Sequence, residues 1–186
     1  KICSEFLGSQ RRPMLIIDSK SALKDRNTFS ARGAGIIGFS MVGRGTTYAL
    51  DEEMNLDLDS INAFLEKHPN EPILLFGFTS IIWEHFFKHL ERLDVKLPLD
   101  GAVLIHGGGW KKLIDQQVDN ETFKRSLLSR CGNITVLNYY GMVEQTGSIF
   151  MECECGRLHA SNYSDVIIRN PNDFSVCAVG EKGLVQ

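Results

Sequence analysis

The sequence predicts an α/β fold: a mostly parallel sheet flanked by helices, followed by a smaller β-rich subdomain. Three observations carry this expectation. Apolar runs of strand length alternate with apolar stripes of helical spacing through the centre of the chain. Between Ile73 and Leu137 the order is strand, helix, strand, helix, strand, which requires two crossovers and so parallel strands. Beyond Gly147 the pattern changes to short β-like pieces separated by Gly, Asn, Pro and Asp, as in hairpins. A boundary near residue 147 is therefore expected, with an α/β core over 1–147 and a hairpin-rich piece over 148–186.

Each element has a local reason. Met14 to Asp18, Gly35 to Phe39 and Thr46 to Leu50 read as strands. Ser60 caps a helix from Ile61 to His68, which Pro69-Asn70 ends. Ile73-Leu74-Leu75-Phe76-Gly77 is a run suited to a strand buried on both faces. Thr79 or Ser80 can cap the next helix, whose inward stripe is Ile82, Phe86, Leu90 and Leu93, flanked by Trp83 and Phe87. Pro98 ends that connection, and Ala102 to His106 is the next strand, broken by Gly107-Gly108-Gly109. Asp119 or Asn120 caps a helix over Glu121 to Arg130, with Phe123, Leu127 and Leu128 inward; Cys131-Gly132 stops it before the strand Ile134 to Leu137. The later pieces are Ser148–Glu152, Leu158–Ala160, Val166–Arg169, Ser175–Val179 and Leu184 onward.

Composition narrows the function classes. The 186 residues are 43% apolar and 23% charged, which excludes a disordered or fibrous chain. Twenty Lys+Arg against 23 Asp+Glu give a net charge of −3 with no basic stripe, so nucleic acid is not the expected partner. No apolar run approaches the ~20 residues of a membrane-spanning helix. Five cysteines, an odd number, read as reduced thiols or metal ligands, and Lys1-Ile2-Cys3-Ser4 does not open a secretion signal; the expected location is cytoplasmic.

Parallel sheets bind ligands where strand carboxyl ends meet loops and helix amino termini. Two loops qualify. His106 to Lys112 leaves one strand, and Asn138 to Gly147 leaves the next. Glycines let a flat ring approach bare backbone, a tyrosine can cover it, and a carboxylate can hold Mg²⁺ beside phosphates. Such a set describes a nucleotide site anchored by Glu144; read without that chemistry, the glycines form a tight turn and the tyrosines pack.

The motifs favour the site. Tyr140-Gly141-Met142-Val143-Glu144 resembles the Tyr-Gly-x-Thr-Glu motif of adenylate-forming acyl and aryl-CoA ligases. The His106-Gly-Gly-Gly-Trp-Lys stretch is similar to their adenine-binding glycine turn, and Gly180-Glu181-Lys182-Gly183-Leu184 to a later Gly-Glu-x-Gly-Glu-Leu element. Within that superfamily, Asn138-Tyr-Tyr-Gly-Met-Val-Glu-Gln, Gly107-Gly-Gly-Trp-Lys-Lys and Glu152-Cys-x-x-Gly-Arg-Leu-His resemble the acyl-protein synthetases of bacterial bioluminescence operons, the long-chain-fatty-acid–luciferin-component ligases.

The resemblance implies an enzyme that activates a long-chain fatty acid with ATP and magnesium, forming acyl-adenylate and pyrophosphate. The acyl group then passes to an enzyme cysteine and on to an acyl-reductase partner. Gly107, Gly108 and Gly109 would border adenine, Tyr140 beside Tyr139 would stack on it, Gly141 and Met142 would line the α-phosphate, and catalytic Glu144 would ligate magnesium. His106 would contact nucleotide or substrate, or be a satisfied core histidine. Val143 stands where the superfamily motif has Thr. The family's phosphate loop is not found; Gly43-Arg44-Gly45-Thr46-Thr47 only approximates it. The ribose-binding Asp and the lysine-bearing domain would follow Gln186, so the sequence reads as an internal fragment, inactive alone. The alternatives are a phenylacetate-type acyl or aryl-CoA ligase and a noncatalytic module that keeps the ligase fold.

Cys153, Cys155, His159 and Cys177 have a spacing that could place four ligands around a structural zinc, or else are ordinary thiols and a surface histidine. Glu152 and Glu154 are expected to raise the pKa of the neighbouring cysteines and so oppose a thioester there. Cys3 and Cys131 read as ordinary thiols. Glu84-His85-x-x-x-His89 does not match the His-Glu-x-x-His metalloprotease order and reads as a solvated helix face, with a Glu84–Lys88 pair. Trp83, Phe86 and Phe87 read as core, with an acyl-tunnel wall as the other reading.

Overall fold

The computed structural model describes residues 2–23, 30–141 and 148–186. Five strands run parallel: β1 (Arg12–Ser19), β2 (Gly43–Leu50), β3 (Leu74–Phe78), β4 (Val103–Gly107) and β5 (Thr135–Tyr140). The antiparallel strands β6 (Phe150–Glu152) and β7 (Leu158–His159) extend the same sheet, in the order β2-β1-β3-β4-β5-β6-β7. A separate antiparallel pair, β8 (Ile168–Arg169) and β9 (Leu184–Val185), follows; of the expected strand Ser175–Val179 only a bridge from Val176 to Arg169 forms.

Helices cover both faces because the central strands are apolar on both. On one face lie α3 (Leu58–Lys67), the helical run Thr79–Arg92 and α6 (Asn120–Cys131), packing Ile61, Phe64, Ile82, Phe86, Leu90, Phe123 and Leu127 onto Leu15, Leu75 and Leu104. On the other lie α1 (Ile2–Leu7) and α2 (Ala31–Ser40), packing Leu7, Ile36 and Phe39 onto Met14, Ile16, Phe76 and Ile105. The crossover that carries α2 runs from β1 outward to β2, and the later ones run the opposite way. Crossovers of one hand must then lie on opposite faces. The result is a doubly wound sheet with all five parallel carboxyl ends on one rim.

Five expectations are corrected. Gly35 to Phe39 is not a strand but the middle of α2; Ser30 caps that helix by accepting from Gly33 N at 3.1 Å, and the small Gly35 lets it sit against Phe78. The cap of α3 is Asp57, which accepts from Ser60 N at 3.0 Å, so the helix starts earlier than Ser60. The run after β3 has no side-chain cap, because the Thr79 hydroxyl turns inward instead. That run is α4 (Thr79–Ile81), a π-helical turn Ile82–Phe87 and α5 (Lys88–Arg92). The wider turn brings Trp83 and Phe87 inward with Phe86 and carries the stripe off Leu93, which is 50% exposed. Leu128 likewise lies on the outer side of α6.

Candidate functional site

Strands β4 and β5 pair in parallel register, His106 beside Asn138 and Gly107 beside Tyr139. The two loops singled out from the sequence therefore leave the same rim side by side. Residues of a parallel pair that share a register position project to the same face. His106 and Asn138 thus face the α6 side, and Tyr139 faces the α2 side.

On the α6 side a half-open cleft of about 380 Å³ is lined by Thr79, His106, Gly108, Trp110, Asn138 and Glu152, among others. His106 is 3% exposed and lies against the Phe123 ring at 4.7 Å. Thr79 Oγ1 donates to the Gly107 carbonyl at 3.1 Å. A hydroxyl has one proton, so in the 3.0 Å contact with His106 Nδ1 the ring N–H donates to Thr79. The tautomer follows: Nε2 carries a bare lone pair, and it has no hydrogen-bond partner in the structure. Burial pushes the imidazole down to about 4; the Glu152 charge opposes this and the Lys124 charge adds to it.

Glu152 is 2% exposed and closes the far wall. It accepts from Asn138 N and Lys124 Nζ, both at 2.8 Å, and from Asn120 Nδ2 at 2.5 Å. Burial alone would raise its carboxyl, but these donors together outweigh it and hold the group below the usual range. Asn120 opens α6, whose cap Asp119 accepts from Thr122 N at 2.7 Å.

The sequence-derived candidates divide by face. Gly108 and Gly109 are exposed at the rim, and Gly108 has φ 78°, a conformation that glycine adopts freely. Gly107 is different: its bare side lies under the Tyr139 ring. Tyr139 itself is packed with Phe39 and Phe76 at 4.8 and 6.2 Å, and burial pushes its phenol up to about 12. Tyr140 is 41% exposed beside Phe150, with Gly141 next to it at the rim. Met142 and Glu144 lie outside the described residues.

The four zinc candidates do not assemble among the described residues, where no three His, Cys, Asp or Glu side chains form a metal-holding group. Cys153, Cys155 and His159 belong to the β6–β7 hairpin, while the Cys177 backbone hydrogen-bonds to Ile168 in the separate β8–β9 pair. The expectation about the Cys153 thiol is also corrected. The Arg157 backbone N–H, with help from Cys155, holds the Cys153 thiol below its ordinary value, while Glu152 points away into the cleft. Burial pushes the Cys3 thiol up, and that of Cys131 to about 12. Gly43 to Thr47 lies within β2, the edge strand of the sheet, where it pairs with Arg12, Pro13 and Leu15 of β1.

Thr79, Asn120, Lys124 and Glu152 were not singled out as site residues from the sequence. Only the register of β3, β4, β5 and β6 brings them together. The one available signal was Asn138, register partner of a histidine already noted.

A doubly wound sheet with a cleft at its carboxyl rim is the arrangement in which open α/β sheets generally gather ligands. The family described as "Acyl-protein synthetase, LuxE" matches residues 1–186, and the chain belongs to that family. Comparison with curated proteins and with solved structures gave no match. Among the described residues no helix is long and apolar enough to cross a membrane.

Proposed function

We propose that this chain supplies the adenine-side wall of an ATP-dependent acyl-protein synthetase, which activates a long-chain fatty acid as acyl-adenylate before transfer to a protein cysteine. One observation carries the reading. The exposed Gly108-Gly109 corner and the exposed Tyr140 ring emerge side by side from in-register parallel strands, next to a cleft whose buried histidine lacks a partner. A flat ring can lie on the glycine backbone and against Tyr140, with its edge toward the cleft.

The residues fit magnesium–nucleotide chemistry by type. Glu144 follows Tyr140 by four positions and is the carboxylate that would hold the metal near the phosphates. A bound metal would neutralise the anions that meet when a carboxylate attacks the α-phosphate. The chain's own part is to bind and orient the nucleotide and to exclude water from its base edge. An acyl-reductase partner, which the motif resemblance implies, is part of the same proposal.

The test is exchange of pyrophosphate into ATP, stimulated by long-chain fatty acid, in the synthetase that carries this sequence. Exchange should require the fatty acid and fall by about a hundredfold or more in Glu144→Ala. A hydroxylamine-labile acyl group should then appear on the protein without coenzyme A. Acyl transfer that requires coenzyme A would instead point to the phenylacetate-type ligase. Absence of any fatty-acid-dependent exchange would point to the noncatalytic module.

A further inference from the structure

We propose that His85 and His89 form a metal site outside the cleft: a two-imidazole chelate for one divalent transition ion of the Cu²⁺, Ni²⁺ and Zn²⁺ class. It does not depend on the nucleotide reading above. The two residues lie four positions apart on the helical run Thr79–Arg92, His85 in the π-helical turn and His89 in α5. Their rings are nearly parallel, at 11°, with centroids 6.3 Å apart. Each ring is held by a backbone carbonyl. His85 Nδ1 donates to that of Met54 at 3.0 Å, and His89 Nδ1 to that of Glu84 at 3.2 Å. A carbonyl can only accept, so in both neutral rings the proton sits on Nδ1 and Nε2 carries a bare lone pair. Neither Nε2 has a protein partner among the described residues, and neither is sealed from solvent.

Metal-ligating histidines have this arrangement: one ring nitrogen donates to a carbonyl or carboxylate, which fixes the tautomer and orients the other nitrogen as ligand. Distance decides whether one ion can reach both rings. Two imidazoles that share an ion through bonds of about 2.1 Å have centroids about 4.5–6.5 Å apart, depending on the angle between the bonds. At 6.3 Å the pair lies inside that range, and rotation about the side-chain torsions can close it further. Lys88 stands between the two histidines in sequence, but its ammonium is held by the Glu84 carboxylate at 2.8 Å, so its charge is offset. No third His, Cys, Asp or Glu joins the pair among the described residues, so water would complete the coordination. Neutral imidazoles favour Cu²⁺, then Ni²⁺ and Zn²⁺, and leave Mg²⁺, which takes oxygen ligands. The ion would tie the π-helical turn to α5, and His85 already joins that turn to the loop after β2 through Met54.

The experiment titrates the synthetase that carries this sequence with Ni²⁺ by calorimetry, in the presence of excess Mg²⁺. Wild type should take up Ni²⁺ at this pair. His85→Asn and His89→Asn each keep an N–H donor for the backbone carbonyl and lose Nε2. Each should weaken that uptake by about tenfold or more, because in wild type the second imidazole binds intramolecularly. The double variant Cys153→Ser/Cys155→Ser controls for the hairpin thiols and should leave it unchanged. Wild type also supplies a check that needs no variant. Ni²⁺ should protect His85 and His89 together from carbethoxylation by diethyl pyrocarbonate, read by peptide mapping. Histidines that serve only the backbone would lower the urea midpoint when replaced and leave Ni²⁺ affinity as it was, which overturns the proposal. Wild type without Ni²⁺ uptake, or with both rings still modified at saturating Ni²⁺, overturns it whether or not the variants fold. Uptake lost only in the cysteine variant places the ion on the thiols and overturns it as well.

Discussion

The residue with the clearest electrostatic consequence is His106. Burial holds its folded pKa at about 4, below the value of about 6.5 in an unfolded chain. Between those values the unfolded chain binds a proton that the folded chain does not, so stability falls as pH drops through that window. From about pH 6.5 to about pH 5 the loss attributable to His106 is about 2 kcal/mol. His106→Gln should flatten the pH dependence of the urea midpoint over that interval, and slopes equal to wild type would contradict the assignment. Gly107 makes a second residue-scale case. A Cβ there would stand 2.5 Å from Tyr139 Cε1 and 2.8 Å from the Tyr139 carbonyl oxygen. The ring could turn but the backbone cannot, so Gly107→Ala should cost about 1–3 kcal/mol in denaturant unfolding. A cost under about 0.5 kcal/mol would mean that β5 yields there without strain.

Elements show how local rules and packing share control. The cap of α6 was legible from Asp119, because a short acceptor before a helical stripe satisfies the first free N–H groups. Asp119→Ala should lower the unfolding midpoint through loss of this cap. Glu152→Ala should cost more, about 2 kcal/mol, because it strands the Asn138 N–H, Asn120 and Lys124 together. Equilibrium unfolding of the two variants checks the order, and a milder Glu152 variant would show that β6 is held by packing alone. Helix α2 was not legible as a helix. Its Gly-Ile-Ile-Gly-Phe segment has the look of a strand, and tertiary contact with Phe78 and Phe76 overrides that preference. The π-helical turn was hidden for a related reason. Trp83, Phe86 and Phe87 read as core from the sequence and all three are buried, but the widened turn that carries them shows only in the folded backbone.

Across the whole molecule, the order of strands and helices carried most of the architecture, since parallel strands joined by helices leave few arrangements. The rim that holds the site was legible for the same reason: His106 to Gly109 and Asn138 to Tyr140 end neighbouring strands. The cleft wall was not. Thr79, Asn120 and Glu152 come from three other segments that only the folded sheet brings together. A second cleft, of about 550 Å³, lies at the opposite rim among Leu65, His68, Pro69, Pro98 and Ala102. It is the larger, but it faces the amino ends of β3 and β4, where parallel sheets do not gather ligands. The two clefts give the central claim its most direct test: photolabelling of the synthetase with 8-azido-ATP and magnesium, followed by peptide mapping. Label that excess ATP displaces should fall on peptides spanning 106–112 or 138–158. Displaceable label confined to 65–73 and 98–102 would contradict the account.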